Sequence, residues 1–531
     1  MEHVTIAPVI SKGEGLLASH TISVKDTIYS TNDPVISAIS AENLTDFCYH
    51  CHAGSKSETS WYSIGQYRDA RLQECSACRV VRFCGKQCQS LAWKQYHKFE
   101  CKKMAKFAPR ILHESVRAVQ RFCLQRDNGI IGDELWQKLL KLTSHMDDLR
   151  RKGGADWRDL MLYAKAAHEY SETKINLQVV LKLMCILKSN GLILQTTYGD
   201  PIGVFIDPIL VKINHSCDGN VFVHRPIYTN TTGWLQSKTS NEGMIKLLPL
   251  REIREGEELT MPYVDLNDDL DKRRADLRKN YFFLCTCNKC IQDETTKHDL
   301  QVSNSKLSKR LAGWQSEAEE QLKSLKNTPL SLGIVVNGIS KLEAIANGME
   351  KETSLNPATN PYSRIIHELK LLNMDRQHAC DQALLYALKE HFVVGFSIYS
   401  SPIHPTRIVN AIYLLQVFGL LDETFNPGHG HVAAIEQARK NFEARGFSRR
   451  SFLHWRLRIC VDIRRHLVDS AMTDMANCFE MEQVSIGIND RHQIQELLTD
   501  AIIKEESEQE MRKILGLTKE RWKEVLNRYG P

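Results

Sequence analysis

Eight metal-ligating side chains stand in four short pairs, Cys48-x2-Cys51, Cys75-x2-Cys78, Cys84-x3-Cys88 and His97-x3-Cys101. Tetrahedral zinc favours ligands delivered two at a time from one tight turn, and four such pairs within about fifty residues rarely arise by chance. A second cluster follows, in which Cys285-x-Cys287-x2-Cys290 supplies three sulfurs and Asn214-His215-Ser216-Cys217 lies far upstream. Each pair of finger pairs saturates one ion with four protein ligands and leaves no position for water, so these zinc ions are structural. Without metal, so short and loop-rich a segment could scarcely bury a core. Spacing alone leaves open whether the pairs combine in order or interleave.

At 531 residues the chain is too long for one core, and two to four domains are expected. No run of about eighteen apolar residues appears, and Met1-Glu2-His3-Val4 lacks the basic and apolar regions of a signal peptide. An intracellular protein, cytoplasmic or nuclear and without membrane attachment, is therefore expected. Thiols stay reduced there, so the sixteen cysteines call for metal or burial before disulfides. Cys123, Cys185, Cys380, Cys460 and Cys478 fall outside the clusters, and buried free thiols are their expected state. Net charge is +5, yet Tyr62 to Arg110 carries eleven Lys or Arg against Asp69, Glu74 and Glu100. The finger is the basic element, and it could attract acidic partners or simply be solvated. Asp271-Lys272-Arg273-Arg274 reads as a solvated helix face before a nuclear signal.

Residues 1–47 read as strands and turns, with Gly13-Glu14-Gly15 a tight turn and Thr21 to Val24 and Val35 to Ile39 β-rich. Leu112, Val116, Val119 and Phe122 recur at helical spacing, and further helical sequence runs through Trp136 to Leu140 and Leu177 to Leu187. The β pattern resumes from Gly203 to Met261, with Gly243 and Gly256 as turn residues. Ser303-Asn304-Ser305-Lys306 has linker character, and helical periods follow, as at Ile408, Ile412 and Leu415. Stacked helix pairs are plausible there, although no thirty-four-residue repeat stands out.

The finger looks like a MYND finger. Together with Gly13-Glu14-Gly15, Asn214-His215-Ser216-Cys217 and Tyr281-Phe282-Phe283-Leu284-Cys285, the chain resembles the SET and MYND domain lysine methyltransferases over roughly its first 295 residues. The resemblance implies an α+β multidomain protein: a β-rich SET domain split between 1–47 and 191–264, a MYND finger at 48–101, a helical insert at 102–190, a post-SET zinc region at 265–295 and an all-α, tetratricopeptide-like domain at 300–531. It implies interleaved finger sites, Cys48, Cys51, Cys84 and Cys88 on one ion and Cys75, Cys78, His97 and Cys101 on the other. It also implies that Cys217 completes Cys285, Cys287 and Cys290, making three zinc ions per chain.

The activity implied is S-adenosylmethionine-dependent methylation of protein lysine. Lys12, Gly13, Glu14, Gly15, His145, Asn190, Asn214, His215, Tyr281 and Phe283 correspond to donor-holding positions, and Tyr281 and Tyr263 to the pair that aligns the substrate amine. The amine must arrive deprotonated, aligned and dry, which an aromatic channel favours by desolvating the ammonium form. Gly219 stands where the family usually carries proline, and the stretch between Cys51 and Cys75, with Trp61-Tyr62, is longer than the family leads one to expect. Partners expected are protein substrates and proline-rich peptides at the finger, with the chain a monomer. An adaptor with little catalysis is the rival, against which the retention of Asn214, His215, Tyr263 and Tyr281 argues. A nucleic-acid regulator is less favoured, because no familiar recognition helix is present.

Overall fold

The computed structural model describes residues 2–31, 34–52, 72–195, 201–224, 245–327, 332–352, 361–374, 379–421, 432–472 and 500–529. Trp61, Tyr62, Gly243 and Cys478 lie outside the described residues. The chain folds as two compact units, the first of mixed helix and sheet and the second helical: Met1–His215 with Asn220–Met261 and Asp276–Leu284, and Ser216–Gly219 with Pro262–Ala275 and Cys285–Pro531.

The first unit opens on an antiparallel hairpin, Val4–Val9 with Gly13–Ala18. Its turn falls one step before the glycine motif: Lys12 N–H donates to Val9 C=O at 3.0 Å and Ser11 takes the left-handed conformation. Gly13-Glu14-Gly15 therefore begins the returning strand, with Gly13 still at positive φ. Of the expected strand at Thr21 to Val24, one bridge forms, Ile22 with Ile253. Ile36–Ile39 pairs antiparallel with Pro201–Ile206, which pairs in turn with Leu192–Gln195. Val221–His224, Ile245–Pro249 and Tyr29–Thr31 form a second three-stranded sheet. A further pairing is parallel, Thr260–Met261 alongside Asn214–His215. Parallel neighbours need a long crossover, so this pairing joins distant parts of the chain.

Helices pack against the Ile36–Ile39 and Pro201–Ile206 strands, which give Ile36, Ala38 and Ile206 to a shared core. Glu114–Asp127 buries Val116, Val119 and Phe122, and Leu177–Asn190 buries a nearly continuous run from Val180 to Leu187. Gly154–Ser171 packs against both; its lower contrast between faces explains why periodicity passed over it. Cys123 and Cys185 are buried free thiols of this core.

The second unit is helical, with neighbouring helices packed in succession: Ser305–Asn327, Leu332–Glu350, Tyr362–Met374 and Cys380–Lys389. Pro405–Leu421 buries Ile408, Ile412 and Leu415. The stretch of linker character is instead a break at Asn304 between helices Asn288–Ser303 and Ser305–Asn327. Trp455 on Arg449–Val468 is fully buried in a cluster with the rings of Phe392 and Trp522.

Candidate metal centres and candidate active site

Two equivalent turns begin the finger. After each Cys-x2-Cys pair the next residue, His52 or Arg79, is left-handed and its N–H donates to the carbonyl of the first cysteine, at 2.8 and 2.9 Å. Each turn thus aims two sulfurs at one point. The helical run from Lys86 to Phe107, widened by a π turn over Trp93–His97, carries Cys88, His97 and Cys101. Residues four apart share a helix face, so His97 and Cys101 reach one site.

The ligand atoms gather in three groups, Cys48, Cys51, Cys84 and Cys88; Cys75, Cys78, His97 and Cys101; and Cys217, Cys285, Cys287 and Cys290, each with its atoms within 4.8 Å of one another. The finger pairs interleave. Sulfurs lie 3.4 Å apart at Cys84 and Cys88, 3.5 Å at Cys51 and Cys84, 3.8 Å at Cys75 and Cys101 and 3.5 Å at Cys217 and Cys290. A tetrahedron with zinc–sulfur bonds of about 2.3 Å has edges of about 3.8 Å, so the groups fit zinc.

The residues around these groups were not legible in the sequence. His97 turns Nε2 to Cys75 at 3.4 Å and Nδ1 to the buried carboxylate of Glu100 at 3.5 Å. A carboxylate behind a ligating imidazole fixes its tautomer and orientation. Arg121 grips Glu100 and also donates to Ser37 C=O at 2.7 Å, tying the finger to the neighbouring strand. In the second unit, Arg273 corrects the reading of Asp271 to Arg274 as a solvated face. It is 2% exposed and donates to Asp293 at 2.5 Å and to Asp268 C=O at 2.7 Å. Burial disfavours its charge, but the Cys217 sulfur and Asp293 outweigh that and raise its pKa. Four thiolates around one zinc carry net negative charge, and a guanidinium beside Cys217 offsets it.

The proposed donor residues of the first unit fall into two sets. In the first, Glu258 accepts from Lys12 Nζ at 2.6 Å and from Asn214 Nδ2 at 2.9 Å, while Asn214 also donates to Glu14 C=O at 3.2 Å. Lys212 pairs with Glu14 at 2.7 Å and lowers its pKa. A Cβ at Gly15 would stand 2.7 Å from Val9 Cγ2 and 2.8 Å from Asn214 Nδ2, so protein packing itself demands glycine there. At Gly13 a Cβ would meet nothing within 4 Å, leaving this backbone open to a ligand. Glu258 was missed because Glu257-Glu258 looks like an ordinary solvated strand edge.

The second set is aromatic. The Phe283 ring centroid lies 5.7 Å from His215 and 6.5 Å from Tyr281, and between them Phe282 meets His145 at 4.7 Å. His145 is left-handed at the start of Met146–Lys152, with Nδ1 at 3.4 Å from Asp148. Asn190 supports that turn, donating to Thr143 C=O at 2.8 Å and Ile186 C=O at 2.9 Å. Burial raises the Tyr281 pKa, so its hydroxyl is neutral. Tyr263 is half-buried and belongs to the second unit.

Residues 48–101, which carry the two interleaved ligand groups, match the MYND finger family. Over a longer stretch the chain is similar to SET and MYND domain proteins. It is 26% identical over 385 residues to fission yeast (Schizosaccharomyces pombe) SET domain and MYND-type zinc finger protein 6, covering 71% of this chain and 65% of that protein. It is 27% identical to human histone-lysine N-methyltransferase SMYD1, covering 55% of this chain and 56% of that protein. It is 28% identical to chicken N-lysine methyltransferase SMYD2, covering 55% and 60%. The chain thus spans about 56 to 65% of the length of these relatives. Among the described residues no helix is long and apolar enough to cross a membrane.

Proposed function

We propose that this chain is an S-adenosylmethionine-dependent protein-lysine N-methyltransferase. The supporting observation is the meeting, in one unit, of Asn214 with the Glu14-Gly15 strand and of Phe283 with both His215 and Tyr281. In this reading residues 1–47 and 191–264 form a split SET domain, 102–190 its helical insert, 265–295 the post-SET region and 300–531 a tetratricopeptide-like domain. The relatives named above as methyltransferases support the same assignment.

Bound donor supplies an electrophilic methyl carbon on a sulfonium. Lys12, Gly13, Glu14, Gly15, His145, Asn190, Asn214, His215 and Phe283 would hold it, and the aromatic faces of Phe283 and Tyr281 favour its positive charge. Tyr281, through its neutral hydroxyl, and Tyr263 would align the substrate amine. The buried setting of Tyr281 disfavours ammonium and promotes the nucleophilic free amine. On the finger, Leu91 and Trp93 are 37% and 46% exposed, which suits docking of a proline-rich peptide. The whole protein would act as a monomer on protein substrates inside the cell.

Incubating the chain with a cell extract and labelled S-adenosylmethionine tests this reading. Label on protein lysines is expected, and Asn214→Ala should lose donor binding. If the folded, zinc-loaded chain neither binds donor nor labels lysine, while still capturing a finger peptide, the adaptor reading replaces it.

A further inference from the structure

Arg117 and Arg121 lie one helical turn apart on Glu114–Asp127 and both reach back to the strand Ile36–Ile39, but only one has a counter-charge. Arg121 pairs with Glu100. Arg117 is 4% exposed and donates Nε to Leu112 C=O at 2.8 Å and Nη2 to Ile39 C=O, while Nη1 has no partner. Among the described residues no carboxylate pairs with it. A buried guanidinium satisfied by neutral carbonyls on two nitrogens and by nothing on the third calls for an anion.

The place for one exists. Arg117 lines a small cavity of about 20 Å³ together with Lys103, Met104, Phe107, Arg110 and Leu112. Lys103 and Arg110 add positive charge to its lining, and Glu172, whose 78% exposed side chain pairs with Lys103 at 2.9 Å, offsets part of it. A space of this size admits about one water-sized group, hence a carboxylate oxygen and not a whole phosphate. Met104, Phe107 and Leu112 are half-buried and offer an apolar wall beside it.

The geometry points to a docking crevice at the end of the finger that takes an acidic side chain of a partner protein, flanked by an apolar residue. The carboxylate meets the combined charge of Arg117, Arg110 and Lys103, which line the cavity; the apolar neighbour covers Met104 and Phe107. No covalent step is involved, and docking here is independent of methyl transfer.

Fluorescence anisotropy of a fluorescein-labelled Leu-Glu-Leu amide and its Leu-Gln-Leu counterpart, on the zinc-loaded full chain, tests it. The Glu peptide should bind at least about tenfold tighter, because a charge-assisted contact is lost in the Gln peptide. Lys103→Ala/Arg110→Ala, which alters rim side chains and spares Arg117, should remove most of that preference with zinc content unchanged. Sodium acetate should compete. Equal affinity for the two peptides, a preference that survives in the double variant, or stronger competition by inorganic phosphate than by acetate at equal ionic strength would each overturn the inference.

Discussion

Arg121 donates Nε and Nη2 to the two carboxylate oxygens of Glu100, each at 3.2 Å, in a site where both side chains are 5% exposed. Burial would raise the Glu100 pKa, but the Arg121 charge and the His97 contact overcome it and bring it down to about 2. The pair therefore stays ionised, and removing one member strands the other. Arg121→Met should destabilise the first unit by about 3–5 kcal/mol. Adding Glu100→Gln should recover part of that loss, because the stranded charge is gone. Urea unfolding of parent, single and double variants measures both; a single variant as stable as the parent would show the contact to be incidental.

Metal analysis of purified chain should return three zinc ions, since three groups of four ligands are in place. Cys287→Ser should reduce this to two while the finger keeps its pair. Cys287 is half-buried, so its replacement disturbs packing less than that of buried Cys290. Two ions in parent and variant alike would remove the third site.

Short-range chemistry was legible in the sequence, and long-range charge pairing was not. Ligand pairs two to four residues apart announce themselves, because one tight turn must present both sulfurs. Val116, Val119 and Phe122 likewise show their helix through local period. Glu100, Arg121, Arg273 and Glu258 carry no such local signal: each is a charged residue among charged residues, and its partner lies across the fold. Asn304 illustrates a second limit. Polar Ser-Asn-Ser looks like a linker, yet packing of the helices on both sides confines the break to a single residue.

The two glycines of Gly13-Glu14-Gly15 should respond differently to alanine. At Gly13 the added methyl has open space and the cost is the left-handed backbone, about 1–2 kcal/mol. At Gly15 the methyl meets Val9 and the amide of Asn214, an overpacking of about 1–3 kcal/mol that displaces a proposed donor residue. Gly15→Ala should therefore weaken S-adenosylmethionine binding through Asn214, seen by calorimetry as reduced affinity at full zinc content. Gly13→Ala should act mainly on stability if Asn214 is the more important contact, and the opposite ranking would shift weight to the Gly13 backbone.

Asp462 gives the second unit a pH dependence. Burial raises its pKa from 3.8 to about 6 although Arg458, at 3.8 Å, and Arg465 oppose the shift. A carboxyl whose folded pKa exceeds the unfolded one contributes its full stability below about pH 3.8 and loses it as pH rises through about 6. Parent protein should then gain about 1 kcal/mol between pH 7.5 and 5.5 that Asp462→Asn does not gain. Denaturant unfolding of both proteins at the two pH values isolates the difference, and parallel curves would show that Asp462 does not titrate in this window.

Tyr281→Phe tests the chemistry directly. The ring stays to pack beside Phe283, while the hydroxyl proposed to orient the amine is lost. Misalignment costs rate without costing fold, and losing one such group costs about 2.7–4 kcal/mol, or roughly a hundred- to thousandfold in single-turnover rate. Donor affinity and zinc content should hold. Because burial raises the Tyr281 pKa above its usual 10, the hydroxyl remains protonated through pH 9. Any rise in rate between pH 7 and 9 therefore reports deprotonation of the substrate amine, and it should persist in the variant at a lower level. Equal rates for parent and variant at every pH would remove Tyr281 from the mechanism; a variant whose rate no longer rises with pH would make the tyrosine itself the titrating group.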